Sequence, residues 1–449
     1  MSSKLSDFVT HQIGGGWGEE LPKEGFKRVA VIRGTDIPRI KDGDTSTVPF
    51  RFEKKSKLPQ RLLQPGDLIL EVSGGSAASG QHTGRVLHVT KEILSRLGGD
   101  VIPASFCKLI RLDEDEVWPS YCSYFIDLMH LTKEIAVFEN QSTGISNFQT
   151  SKFLDATEPP IALSAQKNVS NFLLKVDGLR LQIRNQNVAL EAIAQRLFRS
   201  WFVNFDPVHA KAAGKEPEAM SAELAALFPS EFEDSDLGPI PKGWAVTTFG
   251  DAFDIKGGAT PSTSEPLYWD RGTHAWATPK DMSSLPSKVM YQTERQITAA
   301  GVAKISSKVL PIGTVLMSSR APVGYLAIAK APLSINQGFI AIPPTSGVPA
   351  SFIVELLAHK MPDIKSNAGG TTFAEISKTQ FRPIKWIRPC AKALTAFGKV
   401  VEPLYAQVHA NCLLADSLAS LRDHLLPRLI SGKLSLEEAE QVVEEATAA

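Results

Sequence analysis

The sequence predicts a mixed α/β protein, in an α+β arrangement, built as a tandem pseudo-repeat of two globular domains that are each followed by a long helix. Three observations predict this fold class: similar segments recur in the two halves, a coiled-coil spacing follows each set, and a proline-rich stretch lies between them. The chain has 449 residues, more than one hydrophobic core usually organises, so two or three domains are expected.

The repeat is clearest where a turn leads into a short apolar strand. Residues 33–37 (RGTDI) correspond to residues 278–282 (TPKDM), and residues 63–70 (LQPGDLIL) correspond to residues 310–317 (LPIGTVLM). The latter pair are Pro/Gly turns followed by strands that end in polar, flexible loops. Beyond them the halves run at a constant offset of about 228 positions, so a duplicated domain is the simplest explanation.

A helical pattern follows each globular half. Its 3.5-residue apolar spacing continues over about four heptads, which is typical of a coiled coil and not of a surface helix. A helix of about 30 residues would be roughly 45 Å long. The apolar positions are Leu173, Val176, Ile183, Leu190, Ala194, Leu197 and Trp201 in the first half, and Val401, Leu404, Val408, Ala415, Leu418, Leu425 and Leu429 in the second.

Four seam positions carry polar residues instead: Arg180, Asn187, Asn411 and Arg422. Polar residues inside a seam cost stability and typically fix register and pairing. The alternative is that the helices diverge at these points, or that the heptad phase drifts.

These patterns give a predicted order of domains. The bounds are residues 1–165 for the first domain, 166–205 for the first long helix, 206–243 for a linker, 244–390 for the second domain, 391–432 for the second long helix and 433–449 for an acidic tail. The linker contains five prolines and an acidic run. We therefore expect an exposed connector, with a short helix over residues 219–227.

Composition excludes several classes of protein. The four cysteines are scattered without a C-x-x-C pair, which argues against a zinc site or a disulfide framework and favours a reducing cytoplasm. The sequence shows no signal pattern and no stretch approaching 18 apolar residues, so we expect neither export nor a membrane span.

The charge is unevenly distributed. The formal net charge is +0, which is unusual for a protein that binds phosphates. Residues 244–390 nevertheless carry 15 Lys or Arg against 9 Asp or Glu, about +6, whereas residues 1–165 are near −2.

The motifs expected of an enzyme are missing or incomplete. The glycine-rich residues 73–80 lack the Gly-Lys-Ser/Thr ending of a phosphate loop. Residues 204–208 (NFDPV) only faintly resemble the amine-positioning motif of amino-methyltransferases, with one proline and no following aromatic residue. The nine histidines form no H-E-x-x-H motif, and no Gly-x-Ser-x-Gly elbow is present. We expect no active site, no metal site and no cofactor bound by this chain.

Four segments resemble the specificity (S) subunit of type I restriction-modification systems. Residues 243–282 and 316–339 (LMSSRAPVG through SINQGF) are similar to the opening and middle of a target recognition domain of that family. Residues 197–208 (LFRSWFVNFDPV) and 421–433 (LRDHLLPRLISGK) resemble the ends of its two conserved helices. All four segments occur in the same order as in that family, and the internal repeat that contains them covers nearly the whole chain.

The resemblance implies a DNA-binding, non-catalytic subunit. Two target recognition domains would each read one half of a split, asymmetric target in double-stranded DNA. Two antiparallel helices would set the gap between the half-sites and dock two methyltransferase subunits. Those partners would bind S-adenosylmethionine and methylate adenine, while restriction subunits would use ATP and Mg for translocation and cleavage.

Two other functions stay open. One is a coiled-coil scaffold whose globular domains bind proteins instead of DNA. The other is a degenerate methyltransferase or nuclease, for which cofactor binding by the chain alone would be the simplest sign.

Base discrimination requires polar side chains on loops that strands support. Arg85 and Arg320 are the leading candidates because each follows a strand and a Gly/Ser turn; the alternative is a solvated surface arginine. The candidates are Arg33, Thr35, Ser73, Ser76, Gln81, His82, Thr83 and Arg85 in the first domain, and Thr278, Lys280, Ser318, Ser319, Arg320, Tyr325, Asn336, Gln337, Thr371 and Thr372 in the second.

Other residues are assigned to support. Asp36 and Asp281 are expected to buttress a loop or cap a helix, and Trp244, Trp269 and Trp276 are expected in the core. Inter-helix packing and methyltransferase docking are assigned to Leu173, Val176, Ile183, Leu190, Leu197, Trp201, Leu404, Leu418, Leu425 and Leu429. The first domain lacks the Gly-Trp, Thr-Pro-Lys-Asp and Asn-Gln-Gly motifs and is about 19 residues longer, so residue assignments there are the weaker ones.

Overall fold

The chain divides into two compact units. A computed structural model describes residues 4–74, 82–142, 145–344, 347–370 and 374–448. Unit 1 comprises Met1–Gln182 and Asp416–Ala449, and unit 2 comprises Ile183–Ala415. The division falls inside both long helices, so each unit contains one globular domain and a part of each helix.

The elements confirm a mixed α/β class. The helices are α1 (Ile37–Lys41), α2 (Leu58–Arg61), α3 (Lys91–Arg96), α4 (Pro119–Leu131), α5 (Thr150–Ala156), α6 (Leu163–Phe202), α7 (Asp206–Ala212), α8 (Ala222–Ala225), α9 (Phe249–Ala252), α10 (Pro279–Ser283), α11 (Ala299–Ala303), α12 (Ala350–His359), α13 (Met361–Ser366), α14 (Lys378–Phe381), α15 (Ala391–Ile430) and α16 (Leu436–Ala448). The strands are β1 (Val9–Gly14), β2 (Phe26–Ile32), β3 (Phe50–Lys54), β4 (Leu68–Glu71), β5 (Ser73–Gly74), β6 (Val86–His88), β7 (Val101–Pro103), β8 (Cys107–Leu112), β9 (Glu139–Ser142), β10 (Ile145–Phe148), β11 (Phe232–Glu233), β12 (Ile240–Pro241), β13 (Ala245–Thr248), β14 (His274–Ala277), β15 (Val289–Met290), β16 (Arg295–Ile297), β17 (Val315–Ser318), β18 (Leu326–Ala329), β19 (Leu333–Ile335), β20 (Phe339–Ile342) and β21 (Lys385–Arg388).

The two units share the order and direction of six strands. In unit 1, β2 lies between antiparallel β3 and parallel β7, and in unit 2, β14 lies between antiparallel β16 and parallel β19. A second sheet places β4 between β6 and β8, as β17 lies between β18 and β20, and these four pairings are antiparallel. The fourth strand differs, because β1 pairs antiparallel with β8 whereas β15 pairs parallel with β18. The predicted pseudo-repeat is therefore confirmed in the order and direction of the six shared strands.

Buried strands build the core of each globular domain. All four residues of β4 and all four residues of β17 are buried, as expected of central strands covered on both faces. In both units a short helix follows the strand at the centre of the three-stranded sheet. The Asp36 carboxylate accepts a hydrogen bond from the Arg33 backbone N–H at 3.0 Å, and the Asp281 carboxylate accepts one from the Thr278 backbone N–H at 2.8 Å. The predicted capping role of both aspartates is confirmed.

The long helices are antiparallel within each unit. Helices α6 and α15 each have 40 residues and agree with the predicted bounds to within three positions. In unit 2, Asn187 contacts Asn411, whereas the Phe198 ring lies 6.1 Å from the Phe397 ring. Residues further along α6 therefore contact residues nearer the start of α15, which is the antiparallel arrangement. The assigned seam residues Leu173, Val176, Ile183, Trp201, Leu418, Leu425 and Leu429 are buried, and Leu190, Leu197 and Leu404 are partly buried against the core.

The polar seam positions are paired within the helices. Asn411 Nδ2 donates to Asn187 Oδ1 at 2.8 Å, and both side chains are buried. In unit 1, Arg422 and Arg180 donate to the same Asp177 oxygen at 2.9 and 3.3 Å. The helices stay in contact at these positions, so the alternative that they diverge there is wrong.

The linker differs from its prediction. Val208, Phe228 and Ile240 are buried, and the Phe228 ring lies 5.4 Å from that of Trp201. These apolar residues pack on the core of unit 2, and Pro207, Pro217 and Pro241 are buried with them. The acidic residues and most other positions of the linker are exposed, so the prediction of an exposed connector holds only in part. The short helix covers Ala222–Ala225 only. The acidic tail contains α16, in which Ala439 is buried.

The described part of the chain has neither a helix suited to a membrane nor a cluster of metal ligands. No helix there is both long enough and apolar enough to cross a membrane. Among the same residues, no group of three His, Cys, Asp or Glu side chains is arranged to hold a metal ion.

Candidate nucleic-acid interface

A glycine lies against the end of β19 in unit 2. A side-chain Cβ at Gly258 would come within 1.9 Å of the Ile335 carbonyl oxygen, so only glycine fits there. The next residue, Ala259, donates its backbone N–H to the same oxygen at 3.1 Å. The glycine thus holds the segment over residues 256–262 beside the turn that follows β19.

That turn presents amide side chains. Asn336 donates its backbone N–H to the Ala277 carbonyl at 3.1 Å. Its side-chain oxygen accepts from the Gly338 N–H at 2.8 Å, which tightens the turn. Gln337 is exposed, and its side-chain oxygen accepts a hydrogen bond from Thr260 Oγ1 at 2.6 Å.

Ser318 fixes the loop after β17. Its buried hydroxyl donates to the Pro322 carbonyl at 2.7 Å and accepts from the Tyr325 N–H at 2.9 Å. The loop in between carries Arg320, whose side chain is 36% exposed. The Arg320 guanidinium lies 3.9 Å from a Glu375 carboxylate that is itself half exposed, so this ion pair is weak.

Backbone hydrogen bonds bring these segments together. Ser319 donates to the Gly338 carbonyl at 2.8 Å, and Ile376 donates to the Ser319 carbonyl at 3.0 Å. A Cβ at Gly257 would lie 3.1 Å from Lys378 Nζ. We call the resulting polar surface the unit 2 edge: it comprises Thr260, Arg320, Asn336, Gln337 and Lys378.

The other predicted residues of the second domain support the loops. Thr278 donates its hydroxyl to Asp281 at 2.6 Å, and Ser319 is buried. Lys280 is exposed and pairs with Glu294 at 2.8 Å; the hydrogen bond to Glu294 raises the pKa of Lys280. Tyr325 is half-buried. Thr371 and Thr372 lie outside the described residues.

Sequence reasoning missed two members of the unit 2 edge. Thr260 and Lys378 are both exposed, and neither stands beside a strand end that repeats clearly in the first half. Thr260 lies shortly after the glycine pair of residues 257–258, and that pair is the sequence signal that could have identified it. Of the three tryptophans, Trp244 and Trp276 are buried as expected. Trp269 is partly buried, with the Arg295 guanidinium 3.8 Å from its ring centroid.

Unit 1 builds an equivalent edge with the same backbone bonds. Gly16 donates to the Pro103 carbonyl at 2.9 Å, as Ala259 donates to Ile335. Ala104 donates to the Ile32 carbonyl at 2.8 Å, as Asn336 donates to Ala277.

The remaining two bonds of the edge are also repeated. Val72 donates to the Phe106 carbonyl at 2.9 Å, and Phe148 donates to the Val72 carbonyl at 2.9 Å. They correspond to the bonds from Ser319 to Gly338 and from Ile376 to Ser319. We call the exposed or half-exposed residues Ser73, Ser105, Phe106 and Asn147 the unit 1 edge.

A glycine cradle in the first domain escaped the sequence comparison. A Cβ at Gly15 would come within 2.3 Å of the Pro103 carbonyl oxygen, so Gly15 takes the place of Gly258. The segment is IGGGWG in the first half and IKGGAT in the second. The hydrogen bonds align Gly14 and Gly15 with Gly257 and Gly258, whereas the two isoleucines fall one position apart. The glycine pair is therefore the shared sequence signal, and it lies far upstream of the other matched segments.

Arg85 and Arg320 are not equivalent positions. Glu71 donates its backbone N–H to the Arg85 carbonyl at 2.8 Å, as Ser318 donates to the Tyr325 carbonyl at 2.9 Å. Arg85 thus corresponds to Tyr325, and the residue that corresponds to Arg320 is Ser73. The loop between β5 and Arg85 includes residues 75–81, so the predicted Ser76 and Gln81 lie outside the described residues.

The Arg85 guanidinium is held by a buried carboxylate. Its Nε and one terminal nitrogen donate to the two Glu71 oxygens at 2.7 and 2.6 Å. Glu71 is buried, and its hydrogen bond raises the pKa of Arg85. A bidentate pair of this kind leaves few donors for a base.

Four of the remaining described candidates of the first domain also have partners. Arg33 donates to the Asp36 carboxylate at 2.8 Å, Ser73 donates to Asn147 at 3.0 Å, and His82 lies 3.0 Å from Glu139. Thr83 is buried and donates its hydroxyl to Glu139 at 2.9 Å. Burial raises the pKa of Glu139. The hydrogen bonds from His82 and Thr83 together lower this pKa by more than burial raises it, so the pKa is below its usual value. Thr35 is exposed.

Part of this chain matches a known protein family, and several known proteins are similar to it. Residues 241–399 match the family model of the type I restriction modification DNA specificity domain. The type I restriction enzyme MjaIX specificity subunit of Methanocaldococcus jannaschii is 39% identical over 158 residues, which cover 35% of this chain and 36% of that protein. This chain therefore spans about a third of the length of that relative.

Two further similarities extend along the chain. The type I restriction enzyme HindI specificity subunit of Haemophilus influenzae is 27% identical over 313 residues, 60% of this chain and 67% of that protein. Among solved structures, the type I restriction-modification S subunit from M. genitalium covers 96% of this chain and 95% of its own, with 15% identity and a TM-score of 0.49.

Proposed function

We infer from its place among the type I restriction-modification specificity subunits that this chain recognises a target sequence in DNA. The matched domain covers residues 241–399, which contain the whole unit 2 edge. The observation that carries the proposal is the convergence of four separated segments, through backbone hydrogen bonds, on one surface lined by Thr, Arg, Asn, Gln and Lys. These are the side chains that discriminate base edges.

We propose that the target is bipartite. The unit 2 edge would read one half, with Arg320 donating to a base and Gln337, oriented by Thr260, reading a neighbour. The unit 1 edge, built on the same backbone frame but with different side chains, would read the other half. Different side chains on one frame support an asymmetric target.

The chain is proposed to act without catalysis of its own. The antiparallel helices α6 and α15 would set the spacing between half-sites and dock two methyltransferase subunits. Those subunits would carry S-adenosylmethionine, and restriction subunits would carry ATP and Mg. The complex would act in the cytoplasm as an adenine methyltransferase and ATP-dependent endonuclease.

The experiment is co-expression with a type I methyltransferase, followed by mapping of methylated adenines in host DNA. We expect a split, asymmetric motif that disappears when this chain is removed. Replacing residues 1–165 by those of a relative should change one half of the motif and leave the other intact. Methylation that is absent, or that does not depend on this chain, would favour the protein-binding scaffold.

A further inference from the structure

Phe106 exposes its ring on a fixed backbone. It lies in the turn between β7 and β8 with 66% of its surface accessible. Its carbonyl accepts hydrogen bonds from Val72 and Ser73 at 2.9 and 3.3 Å. On the other side of the turn, Cys107 accepts from the Gly15 N–H at 2.9 Å. The backbone is therefore held from two sides while the apolar side chain contributes little to the fold.

Single exposed apolar residues are common and need no explanation by themselves. Phe106 differs because of where its turn lies. By the shared hydrogen bonds it corresponds to Gly338, in the turn that presents Asn336 and Gln337 at the unit 2 edge.

The second domain has no room for a side chain at that place. A Cβ at Gly338 would come within 2.7 Å of Pro279 Cγ. Unit 2 therefore exposes amides from this turn, whereas unit 1 exposes a phenyl ring.

The other residues of the unit 1 edge are polar. Ser105 beside it is exposed. Ser73 donates to Asn147 at 3.0 Å across the strands that hold the turn. An aromatic ring among hydroxyl and amide groups fits a surface that is apolar at one point and hydrogen-bonding around it. Base edges in the major groove have this character, because the C5-methyl group of thymine lies beside hydrogen-bond donors and acceptors.

We propose that Phe106 is a specificity-determining residue that packs its ring against base edges of the half-site read by unit 1. This inference rests on the proposed function and adds the chemistry of one contact. The ring is presented before binding, so its burial adds to affinity without the cost of ordering a flexible loop. The two half-sites would then be read differently, one with an apolar contact at this turn and the other with amide hydrogen bonds.

The test uses the complex of the full chain with its methyltransferase and a duplex carrying the mapped motif. Phe106→Ala should weaken binding by about tenfold or more, since burial of a phenylalanine corresponds to a change of that order. Phe106→Leu should recover most of the affinity. Phe50→Ala is the matched control, because Phe50 is also partly exposed but lies on β3 with Arg28 over its ring. That control should bind as the wild type does.

The loss should also be local. Base changes in the first half-site should cost the Phe106→Ala complex less than they cost the wild type at one position or more, while changes in the second half-site should cost both equally. Binding within twofold of wild type with unchanged base preferences would overturn the proposal. An equal loss on DNA that lacks the motif would overturn it as well. A wild-type complex without preference for its own motif would instead refute the proposed function.

Discussion

At the scale of single residues, two arginines in similar sequence contexts have different surroundings. Arg320 lies on a loop fixed by Ser318, and its ion pair with Glu375 is weak and half exposed. Arg85 makes a bidentate pair with buried Glu71. Since a base contact requires free donors, Arg320 is the better candidate for recognition and Arg85 is a structural residue.

Replacing Arg320 should therefore change recognition without changing stability. We expect Arg320→Ala to relax the methylated motif at one base pair, at a cost of about 1–3 kcal/mol in discrimination. The measurement is motif mapping together with thermal unfolding. Arg388→Ala, at an exposed arginine on β21, is the control and should leave the motif unchanged. An unaltered motif in the Arg320 variant would remove this residue from the reading surface.

Replacing Arg85 should have the opposite effect. Arg85→Ala leaves the Glu71 carboxylate buried without its partner, so the free energy of unfolding should fall by about 2–3 kcal/mol. Urea denaturation measures the loss, and the motif should stay the same while the protein is folded. The double variant Glu71→Gln, Arg85→Ala should recover part of the stability, because the uncompensated charge is gone.

His88 should make stability depend on pH. Burial, followed by the nearby charge of Lys41, lowers the pKa of His88 from 6.5 to about 4. Between these values the unfolded chain binds more protons at this site than the folded chain. Stability should therefore be fully present above pH 6.5 and fall as the pH drops toward 4, by up to about 1.4 kcal/mol per pH unit from this group.

The check compares unfolding free energies of His88→Gln and wild type at several pH values. The slope between pH 6.5 and 4 should be smaller in the variant. His424→Gln, which removes an exposed histidine of α15, should keep the wild-type slope. Identical slopes in wild type and the His88 variant would contradict the expectation.

At the scale of elements, the buried asparagine pair sets the register of the long helices. Asn411 donates to Asn187 at 2.8 Å, and Asn187 Nδ2 lies 3.4 Å from Cys412 Sγ. Any shift of α15 along α6 would separate the two amides inside an apolar seam. Such a pair stabilises the helices less than leucines would, but it disfavours other registers.

Single and double substitutions should separate stability from register. Asn411→Leu leaves the Asn187 amide without its partner, so it should cost about 1–3 kcal/mol. The double variant Asn187→Leu, Asn411→Leu should regain much of that or exceed the wild type. Crosslinking through engineered cysteines should then detect more than one helix register in the double variant. A single register there, with unchanged stability throughout, would show that the pair has no such role.

How far the sequence predicts these elements depends on whether the signal is periodic or local. The bounds of both long helices follow from apolar spacing, and the paired strands follow from the repeated Pro/Gly turns. The burial of Phe228 and the partner of Arg85 could not be predicted, because each depends on a contact with a distant residue. The equivalence of Gly15 and Gly258 was missed because backbone hydrogen bonds, not similar side chains, define the edge.

At the scale of the whole molecule, charge is the informative property. A formal net charge of +0 leaves little general attraction for DNA phosphates, and the exposed residues of the unit 1 edge carry no charge. If the methyltransferase partners supply most phosphate contacts, this chain contributes mainly base recognition.

That division of contacts should appear in the salt dependence of binding. The isolated chain should bind its motif weakly, with a shallow slope of log affinity against log salt, while the complex should bind tightly with a steep one. The measurement is fluorescence anisotropy on the mapped motif at several salt concentrations. Equal affinity and equal slope for chain and complex would contradict the idea.

Unit 1 is formed by two separate stretches of the sequence, which affects how the protein folds during synthesis on the ribosome. Unit 2 is one continuous stretch, Ile183–Ala415, whereas unit 1 needs Asp416–Ala449 to close on Met1–Gln182. Tyr121 donates its hydroxyl to the Ile430 carbonyl, and Asp177 accepts from Arg422. The stretch Met1–Gln182 is therefore synthesised before unit 2 but needs Asp416–Ala449, which is synthesised after unit 2. Unit 2 can thus finish folding before unit 1 does.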